Sequence, residues 1–361
     1  MKEGKTLQQL AVEIKRQQSE AKDFLADTDA LTMETDSSTT RLTVGNGGNF
    51  GITDIAHGQI GEYLQIPSKY YEKMRVESPS LLTTNVNHWL HRAPQTVAPV
   101  QKMVRTLDGN VRAFLSNRYR RIDNVQVAET VLPIISQMQG AEVKSCELTE
   151  RKMYLKVVNP RLTTEIRKGD VVQAGIVISN SEVGMGSVSV SPLIYRMVCS
   201  NGMIAQDGNV RKYHIGRVNE ADYDMGIFRD DTIAADDAAF MMKVRDAVYA
   251  AVEQAIFEQI VSKMREATEA KIDNGSMVPK VIELTSKDYS ITQSESEGVL
   301  GHLIEGGDLT LYGVSNAITR YAQDVKSYDR STELETIGYK VLTMPKKRWY
   351  QNLAIARKDN V

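Results

Sequence analysis

The chain is poor in the residues that mark the simplest functional classes. Among 361 residues there are two cysteines, Cys146 and Cys199, and neither sits in a Cys-x-x-Cys pair. That excludes a disulfide framework and paired-cysteine metal ligands, and a reducing compartment fits best. The five histidines, His57, His88, His91, His214 and His302, lie in no motif that would carry one to Cys199 or to a serine. No nucleophile, base and orienter can be assembled from them. His88 and His91 stand i, i+3 on an expected helix, but without a partner carboxylate motif they read as packing residues rather than metal ligands.

Long apolar runs are also missing. No stretch approaches the roughly 20 apolar residues of a membrane span. The first 25 residues are charged throughout, with no apolar segment of signal-peptide length, which predicts a soluble, cytoplasmic protein without a membrane partner. GNGGNFG at 45–51 lacks the Gly-Lys-Ser/Thr of a phosphate-binding loop, and neither it nor GMGS at 184–187 follows a strand, turn and helix order. Both read as turns, and no cofactor or metal is expected. Lys and Arg number 44 against 46 Asp and Glu, a net charge of -2. Any attraction to nucleic acid must therefore come from a local patch.

What is present is a hydrophobic fraction of 42%, enough for a substantial core. Leu7, Leu10, Ala11, Ile14, Ala21 and Leu25 recur at helical spacing and predict an amphipathic N-terminal helix able to dock or to pair with another copy. A Ser/Thr-rich connecting region around a short strand, RLTV, follows, with a first boundary near residue 45. Residues 50–95 read as helices, with Pro67 starting the second, and 100–220 as the sheet: VRAFLS, EVKSCEL, KMYLKVV, VVQAGIVIS and GSVSVSPLIYRMV, interrupted by the helix NVQVAETVLPIISQMQG. The turn KGD is too short for a crossover helix, so the meander is antiparallel. From Ile233 to Ile272 the sequence predicts one long helix or two stacked ones, whose leading Asp230, Asp231, Asp236 and Asp237 suit a helix N-terminus. LTLYGVSNAITRYAQDV predicts a final helix, and 346–361 a basic tail. The fold class is α+β: a mostly antiparallel meander with packed helices.

In GSVSVSPLIYRMVCSNG, Ser187, Ser189 and Ser191 share one face and Val188 and Val190 the other. Pro192 belongs at an edge or bulge. If a bulge shifts the register, Arg196 points out beside the serines; if not, it is internal and needs a carboxylate. Cys199 is expected to be buried and inert, and Asn201-Gly202 to be a turn.

Three stretches, FLSNRYRRIDN at 114–124, ISNSEVGMGSVSVSPLIYRMVCSNGM at 178–203 and LYGVSNAITRYAQDV at 311–325, together resemble a family of phage- and plasmid-like proteins grouped as domain of unknown function 932. Order and spacing agree over roughly residues 50–345. Asn117, Arg118, Tyr119, Asn124, Arg196, Cys199 and Asn201 match the family pattern, whereas Glu182, Val183 and Gly184 replace its His, Asp and Gly. The resemblance implies a phage, prophage or plasmid origin and leaves the biochemistry open.

Three basic clusters interleave with aromatic rings: Arg118, Tyr119, Arg120 and Arg121; Arg211 and Lys212 beside Tyr213; and Lys346, Lys347, Arg348 and Trp349 beside Tyr350. Cations for phosphate and rings for bases are the two elements that hold single strands. With Arg196 as an added contact, they make single-stranded DNA the expected partner, in DNA metabolism and strand annealing by a homo-oligomer. Two other readings stand beside it. One is a non-catalytic interaction protein that inhibits a host defence or restriction system; the other is an enzyme of unfamiliar type using Arg196, Cys199 and Asn201.

Overall fold

The computed structural model describes residues 1–36, 39–91, 100–117, 119, 121–205, 213–215, 230–251 and 253–359. Among them twelve α-helices and two largely antiparallel six-stranded sheets make a mixed α+β fold with a long helical C-terminal region. No helix among the described residues is long and apolar enough to cross a membrane.

The first unit holds β1 (Lys22–Asp27), β2 (Leu31–Asp36), β3 (Thr39–Val44), β4 (Asn49–Ile52), β5 (Gln101–Leu107) and β6 (Asn110–Ser116), in the spatial order β1-β5-β6-β4-β3-β2. Among the described strands of this sheet only β4 and β6 pair in parallel. Between β4 and β5 the chain forms α2 (Asp54–Tyr63), α3 (Ser68–Glu77) and α4 (Pro79–Leu90), with Pro67 at the start of α3 as its fixed φ favours. These helices cover one face of the sheet: Leu31, Met33, Leu42, Val44, Val104 and Phe114 pack on Ile60, Tyr71, Leu82 and Val86. The outer edge, β2, is closed by side chains of α4. Asn87 accepts from Met33 N at 2.7 Å and donates to Met33 O at 2.8 Å, and His91 Nε2 lies 2.8 Å from Leu31 O. His91 thus serves a strand edge while His88 meets the Trp89 ring.

This unit corrects the expected boundary. Beyond the expected strand RLTV, residues 22–27, 31–36 and 39–44 are all strand, and the β3–β4 pairing runs across residue 45. Thr is β-branched, and the alternation Thr40, Leu42, Val44 buries every second residue of β3. Leu25 likewise lies in β1, mostly exposed, rather than on the N-terminal helix.

The second unit is built on the antiparallel meander β7 (Glu142–Leu148), β8 (Met153–Glu165), β9 (Val171–Asn180), β10 (Val188–Arg196) and β11 (Asn201–Ile204), with β12 (Tyr213–Ile215) also paired to β10. On one face Leu155, Val157, Ile176, Ile178 and Val190 pack on α1 (Leu7–Glu20) through Leu10 and Ile14, on α5 (Asn124–Gln137) and on α6 (Asp230–Ala251). The N-terminal helix therefore spends its apolar stripe inside its own chain. Of the two forms expected for 233–272, one long helix or two, the chain takes the second, with α6 followed by α7 (Gln254–Thr268). Beyond them α10 (Leu311–Tyr321) is the helix expected from LTLYGVSNAITRYAQDV, α8 (Val278–Asp288), α9 (Gln293–Gly306) and α11 (Tyr328–Leu342) are helices that were not expected, and the basic tail is helix α12 (Lys346–Lys358). Toward the β11 end Ala174, Ile194 and Met203 join Ile260, Val314, Ile337 and Leu353 in the C-terminal core. Gly338 lets α11 lie close on α10, since a Cβ there would fall 2.3 Å from the Thr319 methyl.

α11 also reaches the opposite face of the meander. Lys156 Nζ meets Glu335 Oε2 at 2.5 Å, and neither side chain is more than 1% exposed. Alternation along β8 sends Lys156 away from Leu155 and Val157, so a charge on a strand buried on both faces finds its counter-ion in a helix.

Candidate functional site

The two units meet through polar groups. Among the described residues their apolar cores are separate, and the segment 117–124 joins them by linking β6 to α5. Tyr119 turns inward: its hydroxyl donates to Ser181 O at 3.0 Å, and burial pushes its pKa up. Asn180, buried at the end of β9, donates to Ile122 O at 3.0 Å and to Asn124 Oδ1 at 2.9 Å. Glu182 follows in the β9–β10 loop. Its Oε1 accepts the Asn124 N–H at 2.6 Å and its Oε2 accepts Arg112 Nη1 at 2.7 Å.

Arg105 lies beneath this cluster, 2% exposed, and spreads its guanidinium over three partners: Asp23 Oδ1 at 2.9 Å, Asp123 Oδ1 at 2.6 Å and Glu182 O at 2.9 Å. Burial opposes its charge, but the two aspartates outweigh that and raise its pKa above the ordinary arginine value. Gln59 adds an uncharged link across the junction, donating to Val183 O at 2.7 Å. Arg121 is different. Its side chain is 58% exposed, with a 3.4 Å contact to Asp23 Oδ2.

So the stretches 114–124 and 178–184 converge, and what they converge on was not foreseen. Arg105 and Arg112 escaped the reading of the sequence, although a lone arginine in MVRTL and another in NVRAFL do signal a charge on a strand with an apolar face. Glu182, noted as a departure from the family pattern, is the carboxylate that Arg112 requires.

A second cluster gathers the remaining matches. Pairing of β10 with β9 runs unbroken from Ser189↔Ser179 to Arg196↔Val172, so no bulge resets the register. Arg196 keeps the parity of Val188 and Val190, is internal, and finds its carboxylate: Nε and Nη2 contact the two oxygens of Asp170 at 2.6 and 3.0 Å. Pro192 sits where one neighbour of β10 gives way to another, after the β12 pairing of 188–190 and before the β11 pairing of 193–196. There its missing N–H costs no ladder bond. The Tyr312 hydroxyl donates to Asp170 Oδ2 at 2.8 Å, and Asn201 donates to Thr319 Oγ1. Asn201 and Gly202 are thus strand residues, not a turn. The turn is Met197–Ser200, with Ser200 at φ 50°. Cys199 in that turn is half-buried rather than buried, within 3.3 Å of Arg196 Nη1. It is Cys146 that is fully buried, its pKa pushed up to about 11 by burial.

The C-terminal cluster is divided by α12. Trp349, Leu353 and Ala356 form its buried stripe, and Trp349 is 1% exposed, so its ring is core and has no face for a base. Lys346 pairs with Glu266 at 2.5 Å and Arg348 with Asp288, while Lys347 and Tyr350 are exposed. Arg118, Arg120, Arg211 and Lys212 lie outside the described residues. Among the described residues no group of three or more His, Cys, Asp or Glu could hold a metal ion.

The architecture is that of a two-sheet α+β protein whose units are fastened by buried arginine–carboxylate contacts. The model of the domain of unknown function DUF932 matches residues 112–357, and the chain belongs to this family. The match begins inside β6 and takes in the second unit apart from α1, leaving β1–β5 and α2–α4 outside it. No curated protein and no solved structure matches the chain.

Proposed function

We propose that this is a phage- or plasmid-borne DNA-metabolism protein of the bacterial cytoplasm that binds single-stranded nucleic acid at the junction, with strand annealing as the activity the reading extends to. The observation that supports it is the exposed Arg121 guanidinium on a segment held at both ends by buried bonds, Tyr119 to Ser181 and Asn124 to Asn180. An anchored segment presents its cations with less ordering cost on binding. Arg118 and Arg120 flank Tyr119 in the same sequence. Neutralising a cation that contacts phosphate lowers affinity for all sequences alike and flattens the salt dependence by about 0.7 per contact on single strands. Anisotropy with labelled single- and double-stranded DNA at two salt concentrations, with light scattering for oligomeric state, tests this. Tight, salt-sensitive, single-strand-preferring binding by an oligomer, weakened by Arg121→Ala, is expected. No binding at low salt ends the reading.

A second reading is an interaction protein that inhibits a host defence or restriction system by occlusion. It is favoured by the large apolar side chains carried on α3 and α4 at high exposure: Tyr70, Val76, Leu81 and Trp89. Replacing Leu81 and Trp89 with polar residues would abolish inhibition and leave the fold intact.

A further inference from the structure

The junction contains an arrangement suited to an anion, and the chain fills it with its own carboxylate. Glu182 stands at the first turn of α5, a helix of 14 residues, where the Asn124 N–H reaches one oxygen and Arg112 the other. A backbone N–H at a helix N-terminus together with a guanidinium is a coordination that phosphate groups take. A second observation points the same way. Arg112 is nine-tenths buried, and its Nε has no hydrogen-bond partner although its Nη1 is engaged by Glu182. Glu182 engages the guanidinium only at Nη1, so its Nε stays a buried donor without an acceptor, and a phosphate group, with three or four oxygens around one centre, can reach both nitrogens and the Asn124 N–H at once.

The carboxylate is carried on the short loop between β9 and β10, which turns at Gly184 (φ +76°) and Gly186 (φ +144°). The loop is held by Gln59 at Val183 O, by Tyr119 at Ser181 O, by Ser181 at Arg151 O and by Arg105 at Glu182 O, all hydrogen bonds to backbone carbonyls that water can replace, and its displacement frees an Arg105 donor for the entering anion. We propose that Arg112, Arg105 and the N-terminus of α5 form a phosphate site that Glu182 closes from within, and that an entering phosphate displaces Glu182 together with its loop. The side chains of Arg112 and Glu182 are only about a tenth exposed. Such depth suits a compact phosphate monoester, free or at the end of a strand, better than a phosphodiester in mid-chain. The inference needs only the phosphate group and stands apart from the nucleic-acid reading.

The test is calorimetric titration of inorganic phosphate, at constant ionic strength, into the full-length protein and its Glu182→Ala variant, with thermal denaturation of both in phosphate and in chloride. Emptying the site should tighten phosphate binding about tenfold or more, and phosphate, unlike chloride, should restore the melting temperature that Glu182→Ala loses. Adding Arg112→Ala should remove both effects. Equal affinity in wild type and Glu182→Ala, or affinity that survives the loss of Arg112, overturns the proposal. Should Glu182→Ala fail to fold, Glu182→Gln keeps the shape of the side chain without its charge, and the same tightening is required of it. Oligonucleotides with a 5′-phosphate and a 5′-hydroxyl then separate the sources. Preference for the phosphorylated strand assigns the site to strand ends. Indifference between the two, with inorganic phosphate still bound, assigns it to free phosphate. Loss of all oligonucleotide binding with phosphate binding intact removes the nucleic-acid reading alone.

Discussion

The first sheet covers one face with helices and leaves much of the other polar, whereas the second is packed on both. In the first unit Leu42 and Val44 go inward while Arg41, Thr43, Glu34 and Asn49 bond to one another outside. In the second, β9 buries nine of its ten residues in an unbroken run. A one-sided sheet can put its charges in water; a two-sided sheet must pair them inside. Hence Lys156 meets Glu335 and Arg196 meets Asp170 within the second unit, while Arg105 and Arg112, on the polar side of the first sheet, are neutralised largely by groups of the other unit. The family match begins near this line, inside β6, so most of the first unit lies outside it and meets the matched region through charged and polar contacts, the two apolar clusters of the described residues being separate.

The contrast can be broken most forcefully at Lys156. Lys156→Met leaves Glu335 buried and uncompensated and should cost about 3–5 kcal/mol, whereas Lys156→Met combined with Glu335→Leu should recover most of that loss. Urea denaturation of both variants decides it. If the single variant is as stable as wild type, the pair is not the internal counterpart described.

The next largest effect belongs to the first unit and is set by pH. His57, buried between Thr40 and Tyr71, has its pKa lowered to about 4, chiefly by burial, with Arg75 adding to the shift and Asp54 opposing it. Its folded pKa lies below the ordinary histidine value near 6.5, so the unfolded chain takes up the proton first. The stability it contributes is present above pH 6.5 and is lost as pH falls toward 4, by about 2–3 kcal/mol. In the second unit Glu295, lowered to about 2 by Arg330, contributes stability that is lost only as pH falls from the ordinary carboxyl range toward 2. The chain has two tryptophans, Trp89 on α4 and Trp349 on α12, one reporter for each unit. While the junction couples the units the two reporters share one transition, so between pH 6 and 4.5 that common urea midpoint should fall, and His57→Gln should remove most of the fall.

A smaller effect tests the junction itself. Arg105→Met takes the buried partner from Asp23 and Asp123, but Asp23 keeps its 3.4 Å contact to Arg121, and the two side chains are 16% and 39% exposed and can be solvated in part. The cost should be about 1–3 kcal/mol, and the Trp89 and Trp349 transitions should separate. Coincident transitions in the variant would show that the units are coupled by something other than these arginines.

How much of this was legible follows the same division. Strands β7 to β10 and helix α5 announced themselves because runs of Val and Ile between turn residues need no partner to be recognised. β3 showed only as the short strand RLTV and β2 was hidden, because their apolar face is every second residue among threonines and a Ser/Thr-rich stretch reads as a connection. α9 carried an N-terminal signal that was overlooked, Thr292 three residues before Glu295, whose reciprocal bonds form its capping box. α12 was taken as a tail because Lys346, Lys347 and Arg348 mask the stripe of Trp349, Leu353 and Ala356. Of the candidate site, the segments around Tyr119 and Glu182 could be named from sequence. Their convergence could not, since Arg105 meets Asp123 across 18 residues and Arg112 meets Glu182 across 70, and pairing at that range is a product of topology rather than of local pattern.

The smallest effect gives the finest test. Arg16 on α1 grips Asp108 in the β5–β6 turn with two bonds, of 2.7 and 3.0 Å, and also pairs with Glu13. It is a charged link from the second unit to the first, like the buried arginines, yet its side chain is 42% exposed and that of Asp108 50%. Exposed pairs of this kind contribute little and are screened by salt. Arg16→Ala should therefore leave the urea midpoint within error of wild type, and raising the salt concentration should affect wild type and variant alike. Arg105→Met should separate the two tryptophan transitions at every salt concentration, because its contacts are shielded from ions. If Arg16→Ala instead uncouples the units as Arg105→Met does, burial is not what gives the junction its strength, and the two units are held by surface charge alone.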